Sequence, residues 1–496
     1  MYEGTDDRVP VLIGAAQLRQ RTASPNEALE PAALMAEAIR QAAVDAGLGT
    51  VPAASSIRIT ELYTCRYPDP GRAVARLLGT EVSESAITVP GGNGPQLLVN
   101  DTARDISAGR IELAFLAGAE CWRTRRRARA AGLDLPWGDR SRPLQVDRVI
   151  GNPHVLLQES EAQRGIGAAP LTYALFESAI RAAAGRSLDD HRRHLGALWS
   201  EFSAVAAGNP HAWDRTLHSA DDISTVTPDN RVIFEPYTKL LNSNNDVDLG
   251  AALIMCSAGT ARRLGVAPDR WVFPLVAVDC HDTYSLTERP ALGRSDAIGA
   301  GFRKLCRLGG IGPDEVDLVD LYSCFPSSVQ MAADAMGLGL DARPLTVTGG
   351  LSFAGGPWNN YAMHAIASMV EHLRHQPAAR AMVWANGGYV TKHSFGLYAS
   401  TPFHDFRSGS PQAELDVIAR RPDDGRPASG EGVIEAYTVG RDRHGRVLSV
   451  HASVLRGDGR RCWGQSNDDA FGELVSVEEG VGRAASVDGD GVLRLV

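Results

Sequence analysis

Residues 91–94 read GGNG and residues 355–360 read GGPWNN, and each run leads into an apolar stretch with helical spacing. A glycine turn that opens a helix presents unpaired backbone N–H groups and the positive end of the helix dipole. Such a setting suits an anion or a polarised carbonyl. Neither turn carries an acid, a base or a nucleophile. Tyr322, in the run LYSCF, is a general acid or base if a low-dielectric pocket tunes its phenol. The plainer reading is a strand-end tyrosine, as Tyr63 in LYTC suggests. Cys324, two residues on, reads as a small buried hydrophobe. His393 follows a third glycine turn, NGGYVTKH. His364 lies about two helical turns beyond the second glycine turn and reads as a core or surface residue. Asn93, Asn359, Asn360 and Asn386 offer hydrogen bonds to a pocket ligand, or, for Asn359 and Asn360, simply cap the helix. The basic run RTRRRARAA at 123–131 matches phosphate geometry, against the default of a solvated helix face.

The elements that must position these residues repeat. VPVLIGAAQ, PAALMAEAIRQAAVDAGL and IRITELYTC return in the same order as WVFPLVAVDC, SDAIGAGFRKLCRLGGI and VDLVDLYSC. Each copy then reaches its glycine-opened helix, from Gly91 and from Gly355, and a short apolar strand, IELAFLAG or AMVWANGG. Apolar strands alternating with helices predict parallel sheets buried on both faces, in two α/β halves. About 120–270 fits neither copy and is too long for an idle loop, which makes it a cap or substrate-binding segment within a first half spanning 8–270. The second half spans 271–402. DFRSGSP and RRPDDGRPASGEG then read as linker. From 430 to 496 short alternating strands with hairpin turns predict a small antiparallel β-barrel, resembling the oligonucleotide/oligosaccharide-binding (OB) type.

The 496 residues, 44% hydrophobic and 22% charged, carry a net charge of −9. That charge disfavours nucleic-acid binding. Seven scattered cysteines without CxxC spacing predict free thiols in a reducing compartment and no metal site. Neither an apolar run of membrane-spanning length nor a signal-peptide pattern is evident, so a cytoplasmic protein is expected.

Duplicated α/β halves, a long intervening segment and glycine-opened helices at matching places resemble the thiolases. The branch resembled is the sterol-carrier-protein type, often named acetyl-CoA acetyltransferases. The resemblance covers 8–402, and NPHAW and PYTKLLNSNNDVDLGAAL resemble segments of actinobacterial thiolase-like members. It implies a duplicated thiolase fold in which the two glycine-opened helices meet N-terminus first at the active site. It also implies a cysteine nucleophile activated at a helix tip, a histidine in a Gly-His-Pro turn and a second cysteine before a glycine run. Oxyanion donors come partly from an Asn- or His-x-x-Phe turn.

Carried onto this chain, the nucleophile falls on Gly92, the histidine on Gly356 and the second cysteine on Trp384. The x-x-Phe turn becomes Tyr322-Ser323-Cys324-Phe325. Three proton and acyl carriers are missing, so ordinary thiolysis is not expected. What remains is a site for an acyl-CoA or related thioester, with no further cofactor. The alternatives are a retro-aldolase or non-Claisen acyltransferase using Tyr322 or His393, and a scaffold whose barrel recruits a partner protein. Tyr322 matches a tyrosine of thiolase-like aldolases, and His393 lies in the loop that folds over the substrate in thiolases. Thiolases are typically dimers or tetramers. Pro90, Gly91 and Gly92 end the strand before the nucleophile turn and suit paired strands poorly, which predicts a monomer or a weakened dimer.

Overall fold

The computed structural model describes residues 6–139, 141–154 and 156–496. Its first half has strands β1 (Pro10–Arg19), β2 (Ser56–Ile59), β3 (Glu84–Thr88), β4 (Leu113–Cys121) and β5 (Arg148–Ile150). A hairpin of β6 (Val232–Phe234) and β7 (Tyr237–Thr238) follows, then β8 (Asp248–Ser257). The second half has β9 (Phe273–His281), β10 (Leu318–Leu321), β11 (Arg380–Gly387), β12 (Lys392–Ala399) and β13 (Arg407–Gly409). The C-terminal part contains β14 (Gly430–Arg441), β15 (Val447–Leu455), β16 (Arg461–Ser466), β17 (Ala484–Val487) and β18 (Leu493–Leu495).

The sheet orders are β1-β8-β4-β2-β3-β5 and β10-β11-β12-β9-β13. Read in one direction, the shared cores are β1-β8-β4-β2 and β9-β12-β11-β10, the same permutation twice. Duplication of the α/β halves is therefore plain in three dimensions. The sheets are mixed rather than parallel: β8 runs antiparallel to β1 and β4, and β12 to β11 and β9. The reason is covalent. Four residues join β11 to β12, enough for a hairpin and far too few for a parallel crossover. Both β4 and β8 are buried along their whole length, which explains why they read as unbroken apolar runs. The helices Gly94–Ser107 and Tyr361–His375 pack together between the sheets, so the glycine turns that open them are brought to one place.

Three boundaries differ from the sequence expectation. β8 lies inside 120–270 yet belongs to the first sheet, so the intervening segment is confined to the stretch between β4 and β8. Within that segment β5 pairs with the outer edge of β3. The stretch DFRSGSP, read as linker, supplies β13, which extends the second sheet beside β9. Three residues are too short for any periodic signal.

The C-terminal strands form the order β16-β15-β14-β17-β18, and a parallel bridge from Gln465 to Val492 brings the ends together into a five-stranded barrel. A helix, Asp469–Val477, lies between β16 and β17. The barrel interior is its own apolar cluster, including Ile434, Val450, Ala452, Val454 and Cys462. Ala436 and Trp463, on the outer face, belong instead to the core of the two α/β halves. Among the described residues no helix is long and apolar enough to cross a membrane.

Candidate functional site

The two glycine turns are tied together by a side chain. Asn359 accepts the Gly91 N–H at 3.0 Å and donates to the Glu61 carbonyl at 3.1 Å. Its amide is thus committed to backbone groups of the first half. A cavity of about 1170 Å³ opens beside these turns, and Gly91, Gly92, Gly356, Trp358 and Asn359 line it together with Tyr322, Cys324 and Asn386.

Tyr322 and Gly92 fit as plug and socket. A Cβ built on Gly92 would lie 2.1 Å from the Tyr322 hydroxyl oxygen, 2.4 Å from its Cζ and 2.6 Å from the backbone oxygen of Asn386. The phenol therefore fills the space a side chain at position 92 would need. It is nearly sealed from solvent, and burial, with the Cys324 thiol beside it, raises its pKa well above the usual phenol value. Tyr322 is consequently a neutral hydroxyl whose contact with the Trp358 carbonyl is long, at 3.5 Å. At Gly356 the constraint is milder: a Cβ there would lie 3.0 Å from the Asn245 Oδ1.

Tyr173, which carried no signal in the sequence, organises the floor of the cavity. It lies on the helix Ala169–Ala183, which is buried on every side from Leu171 to Ser178. Its hydroxyl donates to the Gly388 carbonyl at 2.9 Å and accepts from the Asn386 amide at 3.0 Å and the Val390 N–H at 3.3 Å. Burial pushes the neighbouring Cys324 thiol up to about 11, which leaves it protonated. Trp358 and Val390 have φ of 47° and 54°, the positive-φ residues other than glycine among the described residues. Both belong to turns that wall the cavity or adjoin its wall. Left-handed backbone at a β-branched or bulky residue is strained and persists where its surroundings hold it.

The outer part of the cavity carries three cations and aromatic rings, with Asp214 and Asp246 also in the lining. Arg21 lies 4.2 Å over the Trp213 ring and Arg123 lies 5.8 Å from it. Lys239 is exposed at the same wall, and the run Asn242-Ser243-Asn244-Asn245 continues it with polar groups. Of the basic run at 123–131, Arg123 lines the cavity, whereas Arg126 pairs with Asp246 at 2.7 Å and Arg127 donates to the Thr22 carbonyl at 3.0 Å. The solvated-face reading thus fits Arg126, Arg127 instead ties the helix to the Thr22 and Ala23 backbone, and the cations at the cavity come from three separate segments. Tyr63 and Trp122 pack against the Trp358 ring at 5.1 and 5.2 Å.

Other sequence candidates are placed elsewhere. His393 does not line the cavity; it is enclosed on β12, stacked on Trp384 with ring centroids 5.8 Å apart, and burial pushes its pKa down to about 3. Trp384 is fully buried behind Asn386, so the position matched to the second cysteine also faces the core. His364 is buried and contacts the Gln17 amide oxygen at 3.0 Å, as a core histidine. Asn93 donates to the Ser394 hydroxyl at 3.3 Å, and Asn360 donates to the Gly118 carbonyl at 2.7 Å; neither lines the cavity. The side chains of Asn359 and Asn360 do not cap the following helix. Among the described residues no group of three or more His, Cys, Asp or Glu could hold a metal ion.

No family model matches the chain. It is 24% identical over 275 residues to acetyl-CoA acetyltransferase of Methanothermobacter thermautotrophicus, covering 50% of this chain and 66% of that protein. It is 21% identical over 308 residues to sterol carrier protein 2 of Rattus norvegicus, covering 57% of this chain and 52% of that protein. The chain thus spans just under two thirds and about half the length of these curated relatives. Among solved structures, a monomeric SCP2-thiolase like protein type 1 from Mycobacterium smegmatis superposes with a TM-score of 0.85 at 31% identity, covering 99% of this chain and 100% of that one.

Proposed function

We propose, for a chain that belongs to the thiolase superfamily in its sterol-carrier-protein-type branch, that it binds an acyl-CoA or related thioester without thiolase turnover. The observation that carries this reading is the Tyr322 phenol filling the space beside Gly92, above a cavity of about 1170 Å³. A cysteine at position 92 has no room, and Gly356 and Trp384 supply neither base nor proton carrier. The cavity nevertheless keeps a volume suited to a ligand of cofactor size. Arg21, Arg123 and Lys239 at its outer wall suit the phosphates of CoA, and Trp213 and Trp358 give flat faces for a ring or a pantetheine chain. Seven free, buried cysteines fit a reducing compartment such as the cytoplasm.

Titration calorimetry with CoA, acetyl-CoA and longer acyl-CoAs, alongside a thiolysis assay with acetoacetyl-CoA, tests the reading. Binding without turnover is expected. Measurable thiolysis, or no heat with any CoA species at millimolar concentration, overturns it.

A second reading is supported by Tyr322 itself. A neutral phenol at the meeting point of two helix N-termini is placed to donate a proton or a hydrogen bond to an enolate, as a retro-aldolase on a β-hydroxyacyl thioester requires. Product analysis with such thioesters, on wild type and Tyr322→Phe, separates this reading from pure binding.

The barrel's strand order, with its helix between the third and fourth strands, is the basis for reading it as OB-type. Recruitment of a partner by this barrel is the third reading. It would have to use surfaces other than the outer face of β14, β15 and β16, which lies on the α/β core.

A further inference from the structure

The outer face of β15 and β16 is the surface on which OB barrels take their ligands. In this chain the strand register puts Arg461, Trp463 and Gln465 in one row across from Leu455, Ser453 and His451. The Trp463 indole donates to the Thr287 hydroxyl at 2.9 Å. Arg461, only 1% exposed, forms a two-pronged pair with Glu435 at 2.9 and 3.0 Å. The two N–H groups of its remaining terminal nitrogen are shared among three carbonyls of one loop: Leu286 at 2.5 Å, Thr287 at 3.0 Å and Arg289 at 3.0 Å. Three backbone acceptors converging on one guanidinium nitrogen fix that loop to the barrel. The same loop is held from the other side by Glu161, which accepts the Thr287 N–H at 2.7 Å and the Ser285 hydroxyl at 3.1 Å.

Arg289 ends the loop and is itself 2% exposed. It forms no ion pair among the described residues, and its guanidinium is held by neutral oxygens instead. Its Nη2 donates to the Thr391 hydroxyl at 2.9 Å, and its Nε to the Thr283 carbonyl at 3.3 Å. Burying an unpaired guanidinium is costly, so its position depends on these neutral acceptors being in place. Thr391 closes the turn between β11 and β12: its hydroxyl accepts the Tyr389 N–H at 3.2 Å, and its own N–H donates to the Gly387 carbonyl at 3.2 Å. That turn contains Val390 at φ 54° and supplies Gly388 and Tyr389 to the cavity wall.

We infer that the C-terminal barrel is an internal clamp for the cavity, with Arg461 as a positioning residue that acts through the Leu286–Arg289 loop and Arg289 on the Gly387–Thr391 turn. The ligand-binding face of the barrel takes the chain's own loop, and the strained turn at the site is held from outside the α/β halves. The inference is independent of what the cavity binds.

Hydrogen–deuterium exchange on the full-length protein without ligand tests it, using Arg461→Met and Arg289→Met. Arg461→Met should speed exchange of the amides of both 286–289 and 389–391 by about tenfold, local opening being sensitive to lost hydrogen bonds. β1 and β8 should keep wild-type protection, which a general loss of stability would not allow. Arg289→Met should speed 389–391 while leaving the interior of the barrel protected. If Arg461→Met fails to fold, Arg289→Met decides alone. Unchanged exchange at 389–391 in Arg289→Met, or in a folded Arg461→Met, overturns the inference.

Discussion

Adding the smallest side chain at Gly92 should be expensive, and the cost should depend on Tyr322. The backbone at Gly92 is not in the left-handed region, so the penalty is one of packing alone. A Cβ there meets the Tyr322 hydroxyl at 2.1 Å, the ring Cζ at 2.4 Å and the Asn386 carbonyl at 2.6 Å. All three are well inside van der Waals contact, and the last belongs to a buried strand that cannot rotate away. Overpacking of this kind costs about 1–3 kcal/mol, and the upper half of that range is expected here because backbone is among the obstacles. In a Tyr322→Ala background the two ring contacts vanish and the carbonyl remains. The cost of Gly92→Ala should then drop by about 1 kcal/mol or more without reaching zero, a coupling typical of touching residues. Urea unfolding of the four proteins in this double-mutant cycle measures it. Gly92→Ala within about 0.5 kcal/mol of wild type, or an equal cost in both backgrounds, refutes the reasoning, since distant or neutral sites behave in that way. For the same reason Gly92→Cys should fail to cleave acetoacetyl-CoA, and robust turnover by that variant would show that neither the plug nor the missing base matters.

Asn359→Ala removes the acceptor of Gly91 and the donor to Glu61 in a buried setting, and should destabilise by about 2 kcal/mol or more in chemical unfolding; a neutral variant would mean the two turns hold themselves. His393 is buried with its pKa pushed down to about 3, below the ordinary 6.5. The unfolded chain binds its proton first, so this residue's contribution is complete above about pH 6.5 and shrinks as pH falls toward 3, by about 1.4 kcal/mol per pH unit. His393→Phe should flatten the acid limb of stability against pH, and an unchanged slope counts against the burial argument. β5 covers the edge of β3 that a partner strand would otherwise pair with, so the chain should be monomeric. Light scattering at micromolar concentration should give the 52.9 kDa of one chain, and a stable mass of twice that value refutes it.

The duplication, the glycine-opened helices and the terminal barrel could be read in the sequence because each rests on local pattern. An apolar run such as LAFLAGAEC must be buried on both faces, an amphipathic stretch such as PAALMAEAIRQAAVD must turn one side inward, and GGNG before apolar residues must open a helix. The absence of Cys or His at 92 and 356 was equally visible. Contacts between distant residues were not. Tyr322 fills the space beside Gly92 across 230 positions of chain, and neither residue type reveals the other. His393 seemed eligible from its place after a glycine turn, and its register partner Asn386 does reach the cavity, but packing against Trp384 encloses the imidazole itself. Tyr173 and Lys239 come from the intervening segment, where nothing local marks them as cavity wall. Arg461 and Trp463 alternate with apolar residues as an exposed strand face would, and only docking of the barrel makes that face an interface. Local patterning decides which side of an element is apolar. Which neighbour meets that side, and what space is left between them, is settled by packing alone.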